Sequence, residues 1–470
     1  MCECRDNESV FMRLHRKTTT ALGLLLLLLG QELAWGAEAP SSVPLQPVTV
    51  EDAVTWGLTH NRSCLGVKQE VDAVRQQVRQ ARADWYPKVD ANYTFKGWKD
   101  APYAVFDDLK FEMTPQTLNR YELQLTQPLF TGFALSSQLN IAKMNLQIAE
   151  YHLAETRLNT VRDVERAFWN VLLGQKLLQV ARDNVSSLEV QRRNAQANFD
   201  QGFVARNDVL KAEVALAQAR QRERTAEKQL TILRSKLNQV LDIDLQTRLT
   251  LHEEDIVLRE APPLETLYAI AEERRPELLS AETSIRQAGE GIIAARSRYY
   301  PRLSGFAQYY REGEDFLANH NPYANNDNTA VGVRIDWNWF EGGKTVAAAK
   351  EYRYRQKALE EKRSDLQQQI RLQVEDAYEQ LGVARENLST AEAALRQAEE
   401  NDRMTTIQYR EQLVIFLEVL NSQLLRAQSQ VNYYEALYGF KLAWSDLERA
   451  IGGPVGDSGR PKIQPKGQKP

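Results

Sequence analysis

Ala81-Arg82-Ala83-Asp84-Trp85-Tyr86-Pro87-Lys88-Val89 returns later in the same chain as Ala295-Arg296-Ser297-Arg298-Tyr299-Tyr300-Pro301-Arg302-Leu303. Self-similarity at a spacing of about 210 residues points to a duplicated structural unit. Two further landmarks keep the same order. Phe130-Thr131-Gly132 is matched by Phe340-Glu341-Gly342, and Phe199 to Leu210 (FDQGFVARNDVL) aligns with Tyr409 to Leu420 (YREQLVIFLEVL), each opening on an aromatic and closing on acid-Val-Leu.

Outward from these landmarks the periodicity alternates between two kinds. Val89, Ala91, Tyr93 and Phe95 alternate with Asp90, Asn92, Thr94 and Lys96, and Tyr121, Leu123 and Leu125 repeat the pattern. In the second copy Val331, Val333, Ile335, Trp337 and Trp339 alternate with Gly332, Arg334, Asp336 and Asn338, while Leu303 to Tyr310 alternates less cleanly. A period of two predicts strands with one apolar face, at about 88–97, 119–128, 302–310 and 329–339. Runs of about ten residues suit a tilted strand that crosses a bilayer. Tyr86, Trp98, Tyr300, Trp337 and Trp339 cluster towards the strand ends, where amphipathic rings favour a membrane interface. A soluble sheet with one buried face would alternate in the same way. The segments 97–119 and 311–328, rich in Asp, Asn and Tyr, read as loops at the outer surface.

Long helical stretches follow, with seven-residue stripes. Ala167, Gly174 and Ala181 beside Val171, Leu178 and Val185 recur as Ala377, Ala384 and Ala391 beside Leu381, Leu388 and Leu395. The returning helices carry Val209, Leu216, Leu230 and Leu237, and later Ser422, Ser429, Ala436, Ala443 and Ala450. Such stripes specify coiled-coil packing with close helix approach. The hairpins turn at 200–207 and 410–417. The helix leading into the third strand reads as one piece from Leu264 to Arg298. The expected layout is therefore a first repeat over 37–255, a second over 256–453 and a disordered tail over 454–470.

Residues 1–36 read as a signal peptide. If translation starts at Met12, Arg13, Arg16 and Lys17 precede the apolar run Ala21 to Leu29, and Ala34-Trp35-Gly36 offers a small-x-small cleavage site. Cys2 and Cys4 would leave with it, so Cys64 would remain alone and no disulfide framework is implied. With 26% charged residues and a net charge of -4, the 470-residue chain has no basic field to attract nucleic acid. Its five histidines are scattered, and no metal-ligand cluster, phosphate loop or nucleophile elbow appears, so neither catalysis nor a cofactor is expected. Four strands facing lipid would leave two edges unpaired, which requires other protomers, 12 strands from three chains or 8 from two. The competing reading is a periplasmic coiled-coil scaffold or adaptor without a pore, which has no need of four bilayer-length strands.

The duplicated plan, Trp85-Tyr86-Pro87, Tyr299-Tyr300-Pro301, Gln127-Pro128-Leu129-Phe130-Thr131-Gly132 and the two turn motifs together resemble the TolC-like outer membrane efflux protein family, over almost all of Val48 to Gly453. The resemblance implies a mainly α membrane protein: a homotrimer with a 12-stranded β-barrel in the outer membrane and a periplasmic α-barrel of long antiparallel helices. It implies partners too, a membrane-fusion adaptor and an inner-membrane pump or ABC secretion ATPase. It places a constriction at the turns, mapping Glu418 and Asn421 to the aperture, with Asn421 standing where members often carry a second acid. It pairs Tyr409 with an acid matching Asp208 as a latch. The family's glycine in the second turn is here Gln412, and a basic partner is Val414, which reduces that network. Gly202, Phe203, Val204, Ala205 and Arg206 form the expected adaptor-docking turn. Acids in a helix's first turn also complement its dipole, and a glycine at a helix end also serves as a cap, so Glu418, Asp208 and Gly202 each have a purely local role available.

Overall fold

The computed structural model describes residues 48–253 and 260–455. The signal-peptide reading of 1–36 and the tail beyond residue 455 lie outside the described residues, as does the middle of the connector after Leu241.

Each repeat begins with a helix in two pieces. α1 (Val50–His60) and α2 (Arg62–Ala83) meet at Asn61, and α5 (Leu264–Arg274) and α6 (Pro276–Arg296) meet at Arg275. The single helix expected over Leu264–Arg298 is thus broken, because Pro276 has no N–H to give the preceding turn and pushes Arg275 out of the helical region, to φ -66, ψ 117. Both breaks do a second job. Asn61 Nδ2 donates to the Val240 carbonyl at 2.8 Å, and Arg275 Nη1 donates to the Ala450 carbonyl at 2.9 Å. Each caps the end of its repeat's returning helix, where carbonyls lack intrahelical partners.

Four strands follow the plan of the alternation: β1 (Lys88–Gly97), β4 (Thr117–Phe130), β5 (Arg302–Gly313) and β6 (Asp327–Asp336), in one antiparallel sheet ordered β1-β4-β5-β6. The last strand stops at Asp336 and not at residue 339. β5 begins only at Arg302, after Pro301, and Arg302 pairs with Asp336, so Trp337 and Trp339 have no backbone to join. The loop after β1 is more ordered than its composition suggests. It holds a small hairpin of β2 (Tyr103–Phe106) and β3 (Leu109–Glu112), turned at Asp107 and Asp108, both at positive φ as a two-residue turn of this kind requires.

Two helices of 67 residues, α3 (Ala134–Asp200) and α7 (Lys344–Arg410), each run about 100 Å at 1.5 Å per residue. Their returning partners are about half as long, α4 (Arg206–Leu241) and α8 (Phe416–Ala450). The other half is covered by α2 and α6, so α3 lies between α2 with α4 on one side and α6 with α8 on the other. α7 packs on α6 and α8. The predicted stripes make these contacts: Val171, Gly174 and Leu178 are buried against Leu230 and Leu237. A Cβ on Gly174 would stand 2.9 Å from Leu233 Cδ1, so a larger residue there would make that leucine shift. Ala384, Ala391, Ala436 and Ala443 instead line an open groove of about 1070 Å3 running over α8 between α3 and α7. Cys64 is buried, its Sγ 3.2 Å from Thr160 Oγ1.

Candidate functional site

Through the middle of the sheet the register sorts most side chains into two chemistries. On one face stand Val89, Ala91, Tyr93 and Phe95 of β1, Leu123 and Leu125 of β4, Leu303, Gly305 and Ala307 of β5, and Val331, Val333 and Ile335 of β6. On the other stand Asp90, Asn92 and Thr94, then Arg120, Glu122 and Gln124, then Ser304, Gln308 and Glu312. Arg120 bridges Glu122 and Glu312 at 3.6 Å each and lies over the Tyr310 ring, while Gln308 Nε2 donates to Glu122 Oε1 at 2.6 Å. Among the described residues no second layer covers the middle of the apolar face: Val331, Val333 and Ile335 are 79%, 62% and 64% exposed. A soluble sheet with one buried face would cover these residues, so the uncovered face matches hydrocarbon and the charged face matches water.

At the far end of the helices, two hairpin turns close with the same hydrogen bonds. Phe203 N donates to Asn198 O at 2.9 Å, and Leu413 N donates to Gln408 O at 2.8 Å. This closure puts one residue in the left-handed region, Gly202 at φ +79 in the first turn and Gln412 at φ +59 in the second. A side chain there costs roughly 1 kcal/mol. Gln412→Gly should therefore slow local hydrogen exchange at this turn about fivefold, and an unchanged rate would show that the position carries no strain. Phe203 projects into solvent from the first turn, and Leu413 and Ile415 from the second.

The two tips pack together. Tyr409 and Phe416 of the second hairpin, with rings 5.7 Å apart, join Ala195, Val209 and Ala212 of the first. Burial pushes the Tyr409 phenol up in pKa; a hydrogen bond with Asn198 pulls against this and the Asp208 carboxylate adds to it. Within one chain, then, the Tyr409 hydroxyl is held by Asn198. Asp208 is close enough to act on it as a charge, and its own side-chain contact is Lys211 Nζ at 3.4 Å. Glu418 and Asn421 are not drawn into this cluster. Both are exposed, three residues apart and so on one face of α8.

Sequence reading missed a polar clasp one layer inside the tip. Buried Asp402 meets Arg426 Nη1 at 2.7 Å and accepts from Ser422 Oγ at 2.9 Å, locking α7 to α8. Asp402 and Ser422 each lie ten residues from Gln412, and that symmetry about the turn was the available signal. At the position matching Ser422 the first hairpin carries the buried Ala212, so the clasp belongs to the second repeat alone.

The outer membrane efflux protein family model matches residues 58–241 and 267–453. The chain is 24% identical over 394 residues to the alkaline protease secretion protein AprF of Pseudomonas aeruginosa, covering 81% of this chain and 79% of that protein. It is 24% identical over 424 residues to the cobalt-zinc-cadmium resistance protein CzcC of Cupriavidus metallidurans, covering 86% and 90%. The structure of CusC, described in terms of transmembrane channel formation, superposes with a TM-score of 0.73 at 16% identity, over 89% of this chain and 96% of that one. With two matched copies of the family unit, long antiparallel helices and four strands, the chain belongs to the outer membrane efflux protein family, the non-enzymatic outer-membrane channels of tripartite efflux and type I secretion systems.

Proposed function

We propose that three copies of the chain close a 12-stranded barrel and a continuous ring of helices, forming an exit duct gated at the helical tips. The observation that carries this reading is a pair of open flanks. β1 and β6 are both free edges of a four-stranded sheet, whose unpaired backbone groups would cost several kcal/mol each in hydrocarbon. The helices are open in the same sense. α3 is held between α2 with α4 and α6 with α8, whereas among the described residues α7 packs on α5, α6 and α8. The repeat relation makes α2 and α4 of a neighbouring copy the fitting cover for α7, as cyclic symmetry requires.

In this reading Glu418 and Asn421 line the aperture, and one Glu418 per protomer makes a ring of like charge that favours cations. Tyr409, Asn198 and Asp208 restrain the closed tip. Gly202, Phe203, Val204, Ala205 and Arg206 present the docking turn to a periplasmic membrane-fusion adaptor, beyond which lies an inner-membrane pump or ABC secretion ATPase. Support comes from the exposure of Phe203 at a turn fixed by three backbone hydrogen bonds.

Single-channel conductance in planar bilayers, with mass determination of the detergent-solubilised species, tests the reading. The expected result is a trimer with small, cation-selective conductance. Asp208→Ala combined with Tyr409→Phe should raise conductance several-fold, and Glu418→Gln should lower cation preference. A monomer without conductance would sink the duct, and unchanged conductance in the double variant would sink the latch.

A further inference from the structure

The apolar belt of the sheet does not end where its strands turn polar. Near the top of β4 and β5 the outward face carries Asn119 and Arg311, residues that hydrocarbon would exclude. The segment 314–318 (Glu-Asp-Phe-Leu-Ala) leaves the end of β5 and folds back over these residues. Three successive outward side chains of β4 hold it: Thr117 Oγ1 and Asn119 Nδ2 donate to the Glu314 carbonyl at 3.3 and 3.2 Å, and the Tyr121 hydroxyl donates to the Phe316 carbonyl at 2.6 Å. Asn119 is left 5% exposed. Arg311 reaches its guanidinium into the folded-back segment, with Nε donating to the Ala318 carbonyl at 3.0 Å and Nη2 to the Asn319 side chain.

The flap has an internal framework. Asp315 accepts from the backbone N–H groups of Asn319 at 2.6 Å and His320 at 3.2 Å, and Ala318 N donates to the Asp315 carbonyl at 2.8 Å. Ala318 sits at φ +53, fully buried, and a Cβ on Gly313 would fall 2.6 Å from the His320 carbonyl. With its backbone fastened in this way, the flap turns Phe316 and Leu317 outward, 69% and 63% exposed. The Phe316 ring stands 6.2 Å from Tyr93 and 6.4 Å from Tyr121, both on the apolar face.

We infer that residues 314–318 form a lipid-contacting flap, which carries the hydrocarbon-facing belt past the polar end of the strands and seats Phe316 and Leu317 in the acyl chains just below the headgroups. The occupant is lipid because the flap lies on the face already assigned to lipid and continues it. Glu314 and His320, 3.7 Å apart beside the apolar pair, supply the polar margin expected at that depth. The inference rests on which face of the sheet meets lipid, and is independent of how many copies close the barrel.

The test is a nitroxide spin label at Leu317→Cys in the full chain, with Cys2, Cys4 and Cys64 replaced by Ser, in phosphatidylcholine and phosphatidylglycerol vesicles. Accessibility to molecular oxygen is compared with accessibility to a water-soluble nickel chelate. Oxygen should exceed nickel several-fold at Leu317, as at a Val333→Cys control, with the order reversed at Asn325→Cys in the loop. Phe316→Cys gives a second reading should Leu317→Cys fold poorly. Nickel access at residue 317 with lipid access at 333 would overturn the flap alone. Low access to both reagents would place the pair under another protein surface and overturn it also. Nickel access at 333 would overturn the face assignment, and the flap with it.

Discussion

Glu277→Gln should destabilise the protein by about 3–5 kcal/mol, the usual loss when one member of a buried ionic cluster is removed and its partners stay charged. Glu277 lies between two guanidiniums. Arg275 Nε is 3.0 Å from its Oε2, and Arg449 Nη2 is 2.9 Å from its Oε1. The side chains of Arg275 and Arg449 are only 5% and 12% exposed, so neither can recover its lost partner from water. The cluster also ties elements together. Arg275 Nη2 donates to Gln373 of α7 at 2.9 Å, and Arg449 Nε donates to Asn159 of α3 at 2.6 Å. Chemical denaturation of the detergent-solubilised protein, followed by circular dichroism, measures the change. Glu282→Gln is the control, since Glu282 pairs with Arg363 at the surface and should cost under about 1 kcal/mol. Equal effects in the two variants would show that the cluster adds nothing beyond a surface pair.

The same residue predicts a pH dependence with a definite sign. Burial pushes the Glu277 carboxyl up, and the charges of Arg275 and Arg449 outweigh burial, leaving it below its ordinary value of 4.5. A depressed pKa contributes stability that is present above the unfolded value and lost as pH falls through the folded one. Denaturation of the unsubstituted protein should therefore steepen below pH 4.5, and the Glu277→Gln variant should lack that part of the slope.

Much of this architecture is legible in the residues because its signals are local. Alternation over Val89–Phe95 and Val331–Ile335 reports a two-faced strand wherever it occurs, and the sheet register then sorts both copies alike. The same signal overran at Trp337 and Trp339, because alternation states which face a residue would take and says nothing about whether a neighbouring strand is present to pair with it. Two features were readable and passed over: Pro276, which breaks the helix leading into β5 at Arg275, and Asp107-Asp108, flanked by apolar residues as a short hairpin requires. The Asn198 partner of Tyr409 and the flap at 314–318 depend on how hairpins and loops meet across the chain. No spacing within one element encodes those meetings. The exposed pair Phe316-Leu317 in a polar loop was the one available hint of the flap, and composition alone reads it as an ordinary surface segment.

A second large effect separates the two faces of the sheet. Val333→Arg places a guanidinium in the middle of the apolar face, between Val331 and Ile335 on its own strand and opposite Gly305 of β5. On a lipid-facing barrel surface near the bilayer midplane such a charge costs about 2–4 kcal/mol, because water is absent and the hydrocarbon cannot be displaced cheaply. Gln308→Arg puts the same group on the opposite face, beside Glu122 and within the Arg120 and Glu312 network, where water and counter-charge are at hand. Its expected cost is near zero. Urea-dependent folding into phospholipid vesicles, read by tryptophan fluorescence, compares the two directly. The pair is diagnostic since both substitutions add one arginine to the same sheet, so a shared loss of secondary-structure propensity cancels between them. A difference of several kcal/mol in the stated direction follows only if the Val331, Val333 and Ile335 face meets lipid. Equal costs would mean that both faces meet water, and the reversed order would turn the barrel wall inside out.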